Sequence, residues 1–133
     1  MLYVDSSALL KRYIDEVDSD RAEAYLLADS QWVTGRHTRI EVRRNLTRLL
    51  DGRGLDATRS IFETDWERTY VVALDDATCD LAADIAEATG ARTLDALHLA
   101  AATRVGSAGL TFLTFDIRQA QAARSLGMTV VGA

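Results

Sequence analysis

The alternation of short and long apolar segments constrains the fold of this chain more than any other feature of its sequence. Five short runs rich in β-branched and aromatic residues are separated by longer stretches in which apolar residues recur at helical spacing. The short runs cover residues 2–4, 32–34, 70–74, 110–114 and 129–131. Strands that alternate with helices favour a parallel sheet with helices on both faces. We therefore expect an α/β fold in which residues 1–133 form one domain around a parallel sheet.

Capping residues and glycines mark where the predicted helices begin and end. Ser6 is a favourable cap, and Gly90 and Gly127 stand where a helix ends in a left-handed residue. The pair Asp51-Gly52 is expected to end the third helix in the same way. The predicted helices cover residues 6–14, 20–28, 38–50, 55–68, 76–89, 93–105 and 117–126.

The charge of the chain is acidic on average but unevenly distributed. The formal net charge is −5, which disfavours non-specific binding to nucleic acid. Arginine nevertheless supplies nearly all the positive charge and crowds one segment, at Arg36, Arg39, Arg43, Arg44 and Arg48. Because arginine binds phosphate bidentately, the first four are candidate contacts to nucleic-acid phosphate. The alternative is a solvated helix face whose arginines form ion pairs with nearby acids.

Other features of the sequence bear on the compartment. No apolar run is long enough for a membrane span, so we expect no membrane partner. Asp5 interrupts the segment that a signal peptide would need to be apolar. The single cysteine, Cys79, cannot form an internal disulfide. These features favour the cytoplasm.

Two aspartates directly follow predicted strands. Asp5 comes after the first strand, and Asp116 comes after the fourth. Parallel α/β sheets bind ligands outside the carboxyl ends of their strands, so both side chains are placed where a site is expected. The alternative for each is structural, since aspartate often caps the helix that it precedes.

Two further acids lie near the starts of predicted helices. Asp95 is on a helix that is apolar nearly all round, where a buried carboxylate needs a cation or hydrogen-bond donors. Its alternatives are an interaction with the helix dipole or a pairing with Arg92 or His98. Glu41 is at the margin of the apolar stripe of its helix, and its alternative is an exposed ion pair with a neighbour such as Arg44.

Taken together, the four carboxylates predict a metal site. Oxygen-rich clusters suit Mg²⁺ or Mn²⁺, whereas packed carboxylates without a cation repel one another. With only two histidines, His37 and His98, and one cysteine, the sequence argues against a zinc site. We interpret His98 as a packed core residue rather than a ligand.

The segments that carry these acids resemble the PIN-domain ribonucleases, and in particular the toxin half of the VapBC toxin–antitoxin pairs. The matching segments are Val4-Asp5-Ser6-Ser7-Ala8-Leu9, the helix of Glu41, Thr93-Leu94-Asp95-Ala96-Leu97-His98-Leu99-Ala100 and Leu113-Thr114-Phe115-Asp116. They occur in family order and span essentially the whole chain. No acidic position departs from the family pattern.

The resemblance implies a three-layer α/β/α fold with a five-stranded parallel sheet. It also implies endonucleolytic cleavage of RNA with Mg²⁺ or Mn²⁺ in an acidic pocket. Asp5 and Asp95 would be the principal metal ligands. Asp116 would complete the site, and Glu41 would hold the cation directly or through water.

The resemblance extends to supporting residues and partners. Ser6 and Thr114 match positions that support the acids by hydrogen bonding. The family commonly forms homodimers, and an antitoxin inhibits it by covering the active site with its carboxy-terminal segment. In the expected reaction the cation binds a phosphate oxygen and activates a water, which Asp116 or Glu41 orients.

Two other functions remain open on the residues alone. A phosphotransfer enzyme or phosphatase also uses acids at strand ends, but Ser7 stands where such a phosphatase needs a second acid. A receiver domain needs a lysine after a late strand, whereas the only lysine here is Lys11. The other function is a non-catalytic protein-interaction module in which the acids serve as helix caps.

Overall fold

The structure, a computed structural model, describes residues 1–106 and 108–133 and is built around one parallel sheet. The strands are β1 (Leu2–Val4), β2 (Trp32–Gly35), β3 (Tyr70–Val72), β4 (Thr111–Thr114) and β5 (Thr129–Gly132). Every pair of neighbouring strands is parallel, and the order across the sheet is β3-β2-β1-β4-β5. The five-stranded parallel sheet predicted for this chain is confirmed.

Helices cover both faces of the sheet. The helices of the described residues are α1 (Ser6–Leu10), α2 (Ser19–Ala28), α3 (Thr38–Leu49), α4 (Gly52–Arg68), α5 (Asp76–Thr89), α6 (Thr93–Val105) and α7 (Ile117–Ser125). None of them combines the length and the apolar character needed to cross a membrane. Because successive strand residues point to opposite faces, Leu2 and Val4 pack with α1 to α4, whereas Tyr3 packs with α5 to α7. The result is the three-layer α/β/α arrangement.

The order of the strands reverses at the centre of the sheet, between β1 and β4. After β1 the chain builds β2 and β3 on one side and then returns to place β4 on the other. Val4 is paired with Leu113 in the register of these two strands, and the N–H of Asp5 donates to the Leu113 carbonyl at 3.3 Å. The carboxyl ends of β1 and β4 therefore form the crevice in which doubly wound sheets bind ligands.

Helix α1 is shorter than predicted. It ends at Leu10 instead of residue 14, and the N–H groups of Arg12 and Tyr13 donate to carbonyls three residues earlier, which tightens the chain into turns. The Arg12 guanidinium donates to Asp65 of α4 at 2.8 Å, and the Tyr13 hydroxyl donates to the same carboxylate at 2.7 Å. These contacts anchor the turn against α4.

The prediction that Asp51-Gly52 ends the third helix is wrong. Helix α3 ends at Leu49, and Leu50 already has an extended backbone. Asp51 is also extended, and Gly52, with φ of 53°, is the first residue of α4. The left-handed glycine therefore begins a helix at this position, and the connection between α3 and α4 is only two residues long.

Candidate active site

Asp5 caps helix α1 with one carboxylate oxygen and keeps the other free. The residue is buried, with 4% of its surface exposed. Its Oδ1 accepts hydrogen bonds from the Ala8 N–H at 2.8 Å and from the Ser7 hydroxyl at 2.9 Å. No residue in the described part of the chain donates to Oδ2. The capping role therefore accounts for one oxygen and leaves the second able to bind a ligand.

Asp116 repeats this arrangement at the end of β4. Its Oδ1 accepts from the N–H groups of Arg118 and Gln119, at 2.8 and 3.1 Å, and so caps α7. Its Oδ2 has no donor among residues 1–106 and 108–133. The N–H of Asp116 donates to Thr114 Oγ1 at 3.1 Å, so Thr114 supports the acid through its backbone.

Asp95 is half-buried in the first turn of α6. Its carboxylate accepts no hydrogen bond from any residue that the structure describes, and it forms no ion pair there with Arg92 or His98. Its backbone carbonyl accepts a hydrogen bond from Gln119 Nε2 at 3.1 Å, which links α6 to α7. Both pairings considered from the sequence are thus unused, and the side chain is held in place by its helix alone.

Glu41 is held by a serine and a histidine rather than by an arginine. The Ser6 hydroxyl donates to Glu41 Oε1 at 2.5 Å, and His98 Nε2 lies 3.3 Å from the same oxygen. Burial acts to raise the pKa of Glu41, but these hydrogen bonds outweigh it and lower the pKa. The carboxylate is therefore kept ionised. The ion pair with Arg44 expected as the alternative is not formed within the described residues.

The four carboxylates share one electrostatic environment. Burial raises the pKa of Asp95, and the negative charges of Asp116, Asp5 and Glu41 raise it further. The structure thus brings all four predicted acids to one edge of the sheet. No three of them in the described chain have oxygens that all lie within 4.8 Å of one another.

Two histidines meet beside Glu41. The ring centres of His37 and His98 are 4.1 Å apart, and His37 Nε2 lies 3.9 Å from Glu41 Oε1. Among the described residues, these three side chains form the only group of three or more whose metal-ligating atoms all lie within 4.8 Å. His98 is buried as predicted, but its ring is hydrogen-bonded to the site instead of packed in an apolar core. The prediction that His98 is a packed residue rather than a ligand stays a prediction.

A cleft of about 850 Å³ opens beside Asp95 and Asp116. Its lining includes the side chains of Arg92 and Arg118, neither of which was predicted as an RNA contact. Gln119 also lines the cleft; it is buried, and its Oε1 has no hydrogen-bond partner in the described chain. The sequence signal for Gln119 was its position three residues after a capping aspartate, the spacing of a capping box.

The arginines predicted as RNA contacts do not line this cleft. They are Arg36, Arg39, Arg43 and Arg44. Arg39 donates to Glu63 of α4 at 2.6 Å. The guanidinium groups of Arg36 and Arg39 lie 5.9 and 5.8 Å from the centre of the Trp66 ring. Arg39 is therefore engaged within the protein, which agrees with the alternative of an ion-paired helix face.

Comparison with known proteins establishes the family. The model of the PIN domain matches residues 2–125. The chain belongs to the PIN-domain family. One relative of this PIN domain, Ribonuclease VapC46 of Mycobacterium tuberculosis, is 33% identical over 130 residues, which cover 98% of this chain and 95% of the relative. At this identity over nearly the full length of both proteins, the PIN domain belongs with the VapC proteins.

Solved structures share the fold of this PIN domain. Mycobacterium tuberculosis VapC20, described as a sarcin–ricin loop cleaving toxin, matches with a TM-score of 0.70 and 18% identity over 92% of this chain and 95% of the other. A toxin–antitoxin complex from Klebsiella pneumoniae matches with a TM-score of 0.69 and 14% identity over 87% of each chain. At such identities the likeness establishes the fold alone, and it agrees with the three layers described above.

Proposed function

We propose that this PIN domain, formed by residues 1–133, is a metal-dependent endoribonuclease and the toxin of a toxin–antitoxin pair. The cofactor is Mg²⁺ or Mn²⁺, and the reaction is hydrolysis of a phosphodiester bond in RNA. The ribonuclease class is supported by the family, since the relative VapC46 is named a ribonuclease. The residues proposed to carry the activity are Asp5, Glu41, Asp95 and Asp116.

The observation that carries the proposal is the free oxygen of each strand-end aspartate. Asp5 and Asp116 each cap a helix with Oδ1 and leave Oδ2 without a donor among the described residues. Helix capping alone does not explain why further acids lie near these aspartates, because like charges repel one another. Asp95 is nevertheless close enough for both aspartates to raise its pKa, in addition to the effect of burial. This arrangement is one that a bound cation would stabilise.

The chemistry and the spacing of the acids fit a hard cation. All the proposed ligand atoms are carboxylate oxygens, which Mg²⁺ and Mn²⁺ prefer. Mg²⁺ usually keeps several waters, so the acids need not all touch the ion. We assign direct contact to Asp5 and Asp95, with Asp116 and Glu41 bound directly or through water. When bound, the ion supplies stabilisation of phosphate charge and a water of lowered pKa.

Glu41 is suited to orient the attacking water. The hydrogen bonds from His98 and Ser6 keep its carboxylate ionised, so that it can accept a proton. Ser6 thus supports an acid by hydrogen bonding, in the role proposed for it. Asp116 is the alternative for the same role, because its Oδ2 is free and the residue is exposed.

The lining of the cleft supports an RNA substrate. Arg92 and Arg118 line the same cleft as Asp95 and Asp116, where they can contact phosphates that flank the scissile bond. This placement reconciles an acidic protein with a polyanionic substrate, since two arginines flank the acids along the path that we propose for the RNA backbone. We assign a secondary role in RNA binding to the exposed Arg36.

The proposed partners follow from the family. A solved structure of the same fold is a toxin–antitoxin complex. We propose that a cognate antitoxin covers the cleft beside Asp95 and Asp116, and that the toxin is a homodimer. We also propose that the protein acts in the cytoplasm, where its single exposed cysteine, Cys79, stays reduced.

The deciding experiment compares two aspartates that cap helices in the same way. In both Asp5 and Asp75, Oδ1 accepts from the N–H three residues ahead, at 2.8 Å from Ala8 and 2.9 Å from Thr78. The Oδ2 of Asp75, however, is paired with Arg104 at 3.5 Å, away from the other acids. Asparagine keeps the accepting oxygen in both, so Asp75→Asn is a matched control for Asp5→Asn.

Each variant is expressed in cells, the 5′ ends of cellular RNA fragments are sequenced, and cleavage at the sites found is measured with purified protein. Asp5→Asn is expected to lose more than about 100-fold in Mg²⁺-dependent cleavage, because a metal ligand is lost. Asp75→Asn is expected to cleave at the wild-type rate, and EDTA is expected to stop both. Cleavage by Asp5→Asn at the control rate, or undiminished cleavage in EDTA, refutes the proposed site.

A further inference from the structure

His37 is a buried polar side chain that the protein itself leaves unsatisfied. It is 4% exposed, and neither ring nitrogen makes a hydrogen bond in the described chain. Nearly all buried polar atoms in proteins have a partner, because an unpaired donor or acceptor opposes folding. His37 precedes α3 directly, but its side chain forms no cap. The four-carboxylate site makes no use of this imidazole.

Gly35 provides the space in which the His37 ring sits. A Cβ at position 35 would lie 2.5 Å from His37 Cε1 and 2.7 Å from His37 Nδ1, which is too close for real atoms. The backbone of Gly35 has no positive φ, so its conformation does not itself require glycine. The imidazole can therefore occupy this position only because Gly35, at the end of β2, has no side chain.

The ring of His37 is directed toward two other ligands. Its Nε2 lies 3.9 Å from Glu41 Oε1, and His98 Nε2 lies 3.3 Å from the same oxygen. The three atoms lie within 4.8 Å of one another. Two ligands of a tetrahedral zinc ion, at about 2.0 Å from the metal, are separated by about 3.3 Å. The distance between His98 and Glu41 matches this spacing, whereas the 3.9 Å between His37 and Glu41 is longer and would have to shorten when an ion binds.

We propose that His37, Glu41 and His98 form a site for a borderline divalent transition-metal ion, with Zn²⁺ as its representative. Two imidazoles and one carboxylate are a ligand set that zinc uses with water in the fourth position. Mg²⁺ prefers oxygen ligands, so we do not expect it to bind a site with two imidazole ligands. The site lies beside the four-carboxylate site and shares only Glu41 with it.

The surroundings of His98 suit a cation at its Nε2. The Nδ1 atom lies 2.9 Å from the Tyr3 hydroxyl oxygen, whereas Nε2 lies 3.0 Å from Ser6 Oγ, which a cation would displace, and 3.3 Å from Glu41 Oε1. When a cation takes the Nε2 lone pair, the single ring proton resides on Nδ1 and is donated to the Tyr3 oxygen. Metal-bound histidines commonly donate their second N–H to an oxygen, which fixes the tautomer and the ring. Tyr3 is the positioning residue for this ligand.

Occupation of this site inhibits the nuclease, and this part of the inference rests on the proposed function. Zinc bound to Oε1 stabilises the charged form of the Glu41 carboxylate, which then accepts a proton from the attacking water less readily. Zinc binding therefore withdraws a carboxylate from the reaction without touching Asp5 or Asp95. Zinc affinity itself does not depend on any assumption about RNA cleavage, so the two can be measured separately.

The test measures zinc affinity by competition with a chromophoric chelator, using metal-free protein without a histidine tag. Cys79→Ser is the background, because an exposed thiol would also bind zinc. His37→Phe removes a ligand, Gly35→Ala displaces the His37 ring while all three ligands remain, and Asp75→Asn is the control outside both proposed metal sites. Co²⁺ replaces Zn²⁺ in a parallel titration, in which visible absorption reports tetrahedral coordination.

His37→Phe is expected to lower zinc affinity by at least about 100-fold, because loss of a partner outside the coordination sphere alone costs 10- to 100-fold. Gly35→Ala is also expected to weaken zinc binding, whereas Asp75→Asn is expected to bind zinc like the background protein. Equal zinc affinity in His37→Phe and the background, or a Co²⁺ spectrum that is unchanged by His37→Phe, overturns the proposal. Circular dichroism and urea unfolding of the metal-free variants check that each is folded.

The RNA assay separates this inference from the proposed function. If Mg²⁺-dependent cleavage is present, the zinc concentration that halves it is expected to rise at least about tenfold in His37→Phe. Zinc inhibition of equal strength in both proteins overturns the inhibitory role. If no cleavage occurs but zinc binding depends on His37, the proposed function fails and the metal site stands.

Discussion

Replacing His37 with phenylalanine should change how the stability of the metal-free protein depends on pH. Burial, followed by the nearby His98 ring, lowers the pKa of His37 from its usual 6.5 to about 4. In the unfolded chain the imidazole takes up a proton near its usual pKa, whereas the folded protein resists protonation down to about pH 4. Protons therefore favour the unfolded state within that window, and the free energy of unfolding falls as the pH falls.

The size of this effect follows from the pKa shift. For one group that titrates near 6.5 when unfolded and near 4 when folded, the free energy of unfolding falls by about 2 kcal/mol between about pH 7.5 and pH 5. With a urea m-value of about 1.5 kcal/mol per molar, the unfolding midpoint falls by roughly 1 M from this residue alone. His37→Phe has no titrating group at this position, so this part of the fall in the free energy of unfolding should be absent from the variant.

Urea unfolding of both proteins at the two pH values, in the presence of a chelator, measures the difference. Groups that do not interact with His37 also titrate over this range, but they contribute equally to both proteins and cancel in the comparison. Any change in packing caused by the larger ring is present at both pH values and cancels as well. If the wild-type protein and His37→Phe lose the same stability on acidification, the imidazole is not held neutral and the reasoning about its environment fails.

Three further predictions concern other parts of the structure. Asp95→Asn should raise the free energy of unfolding at neutral pH by roughly 1 kcal/mol, because it removes a half-buried carboxylate that neighbouring acids repel. The gain should shrink as the pH falls and wild-type Asp95 takes up a proton, and added Mg²⁺ should stabilise only the wild type in thermal unfolding. Replacing Arg92 and Arg118 with alanine should weaken RNA binding and reduce the salt slope by about 2; an unchanged slope places the RNA elsewhere. Asp65→Ala should cost about 2 kcal/mol in urea unfolding, because it leaves Arg12 without its closest partner, and a cost near zero would contradict that role.

The sequence predicts well what depends on local pattern. Helices α5 and α6 have the predicted bounds, since Gly90 adopts the left-handed conformation that stops α5. Asp5 and Asp116 lie at one edge of the sheet because parallel strands place their carboxyl ends together. From the sequence, each of these aspartates could be either a helix cap or a ligand. A carboxylate has two oxygens, however, so one oxygen can cap the helix while the other stays free to bind a ligand.

Contacts between distant segments could not be read from the pattern. His37 and His98 are far apart in sequence, and no periodicity relates the end of β2 to the middle of α6. The capping-box spacing of Asp116 and Gln119 suggests a side chain that turns back to the N–H of the cap. In the structure Thr114 takes that N–H, and Gln119 reaches across to the Asp95 carbonyl. Only tertiary packing decides between such competing partners.

The strands that end at Asp5 and Asp116 lie side by side, yet they are far apart in the order of synthesis. β1 emerges from the ribosome well before β4, because β2, β3 and six helices lie between them in the chain. The acids at their ends cannot meet until β4 has docked against β1. We therefore expect that a growing or prematurely terminated chain is harmless to the ribosome that makes it. The antitoxin that we propose as a partner would then have to neutralise only finished molecules.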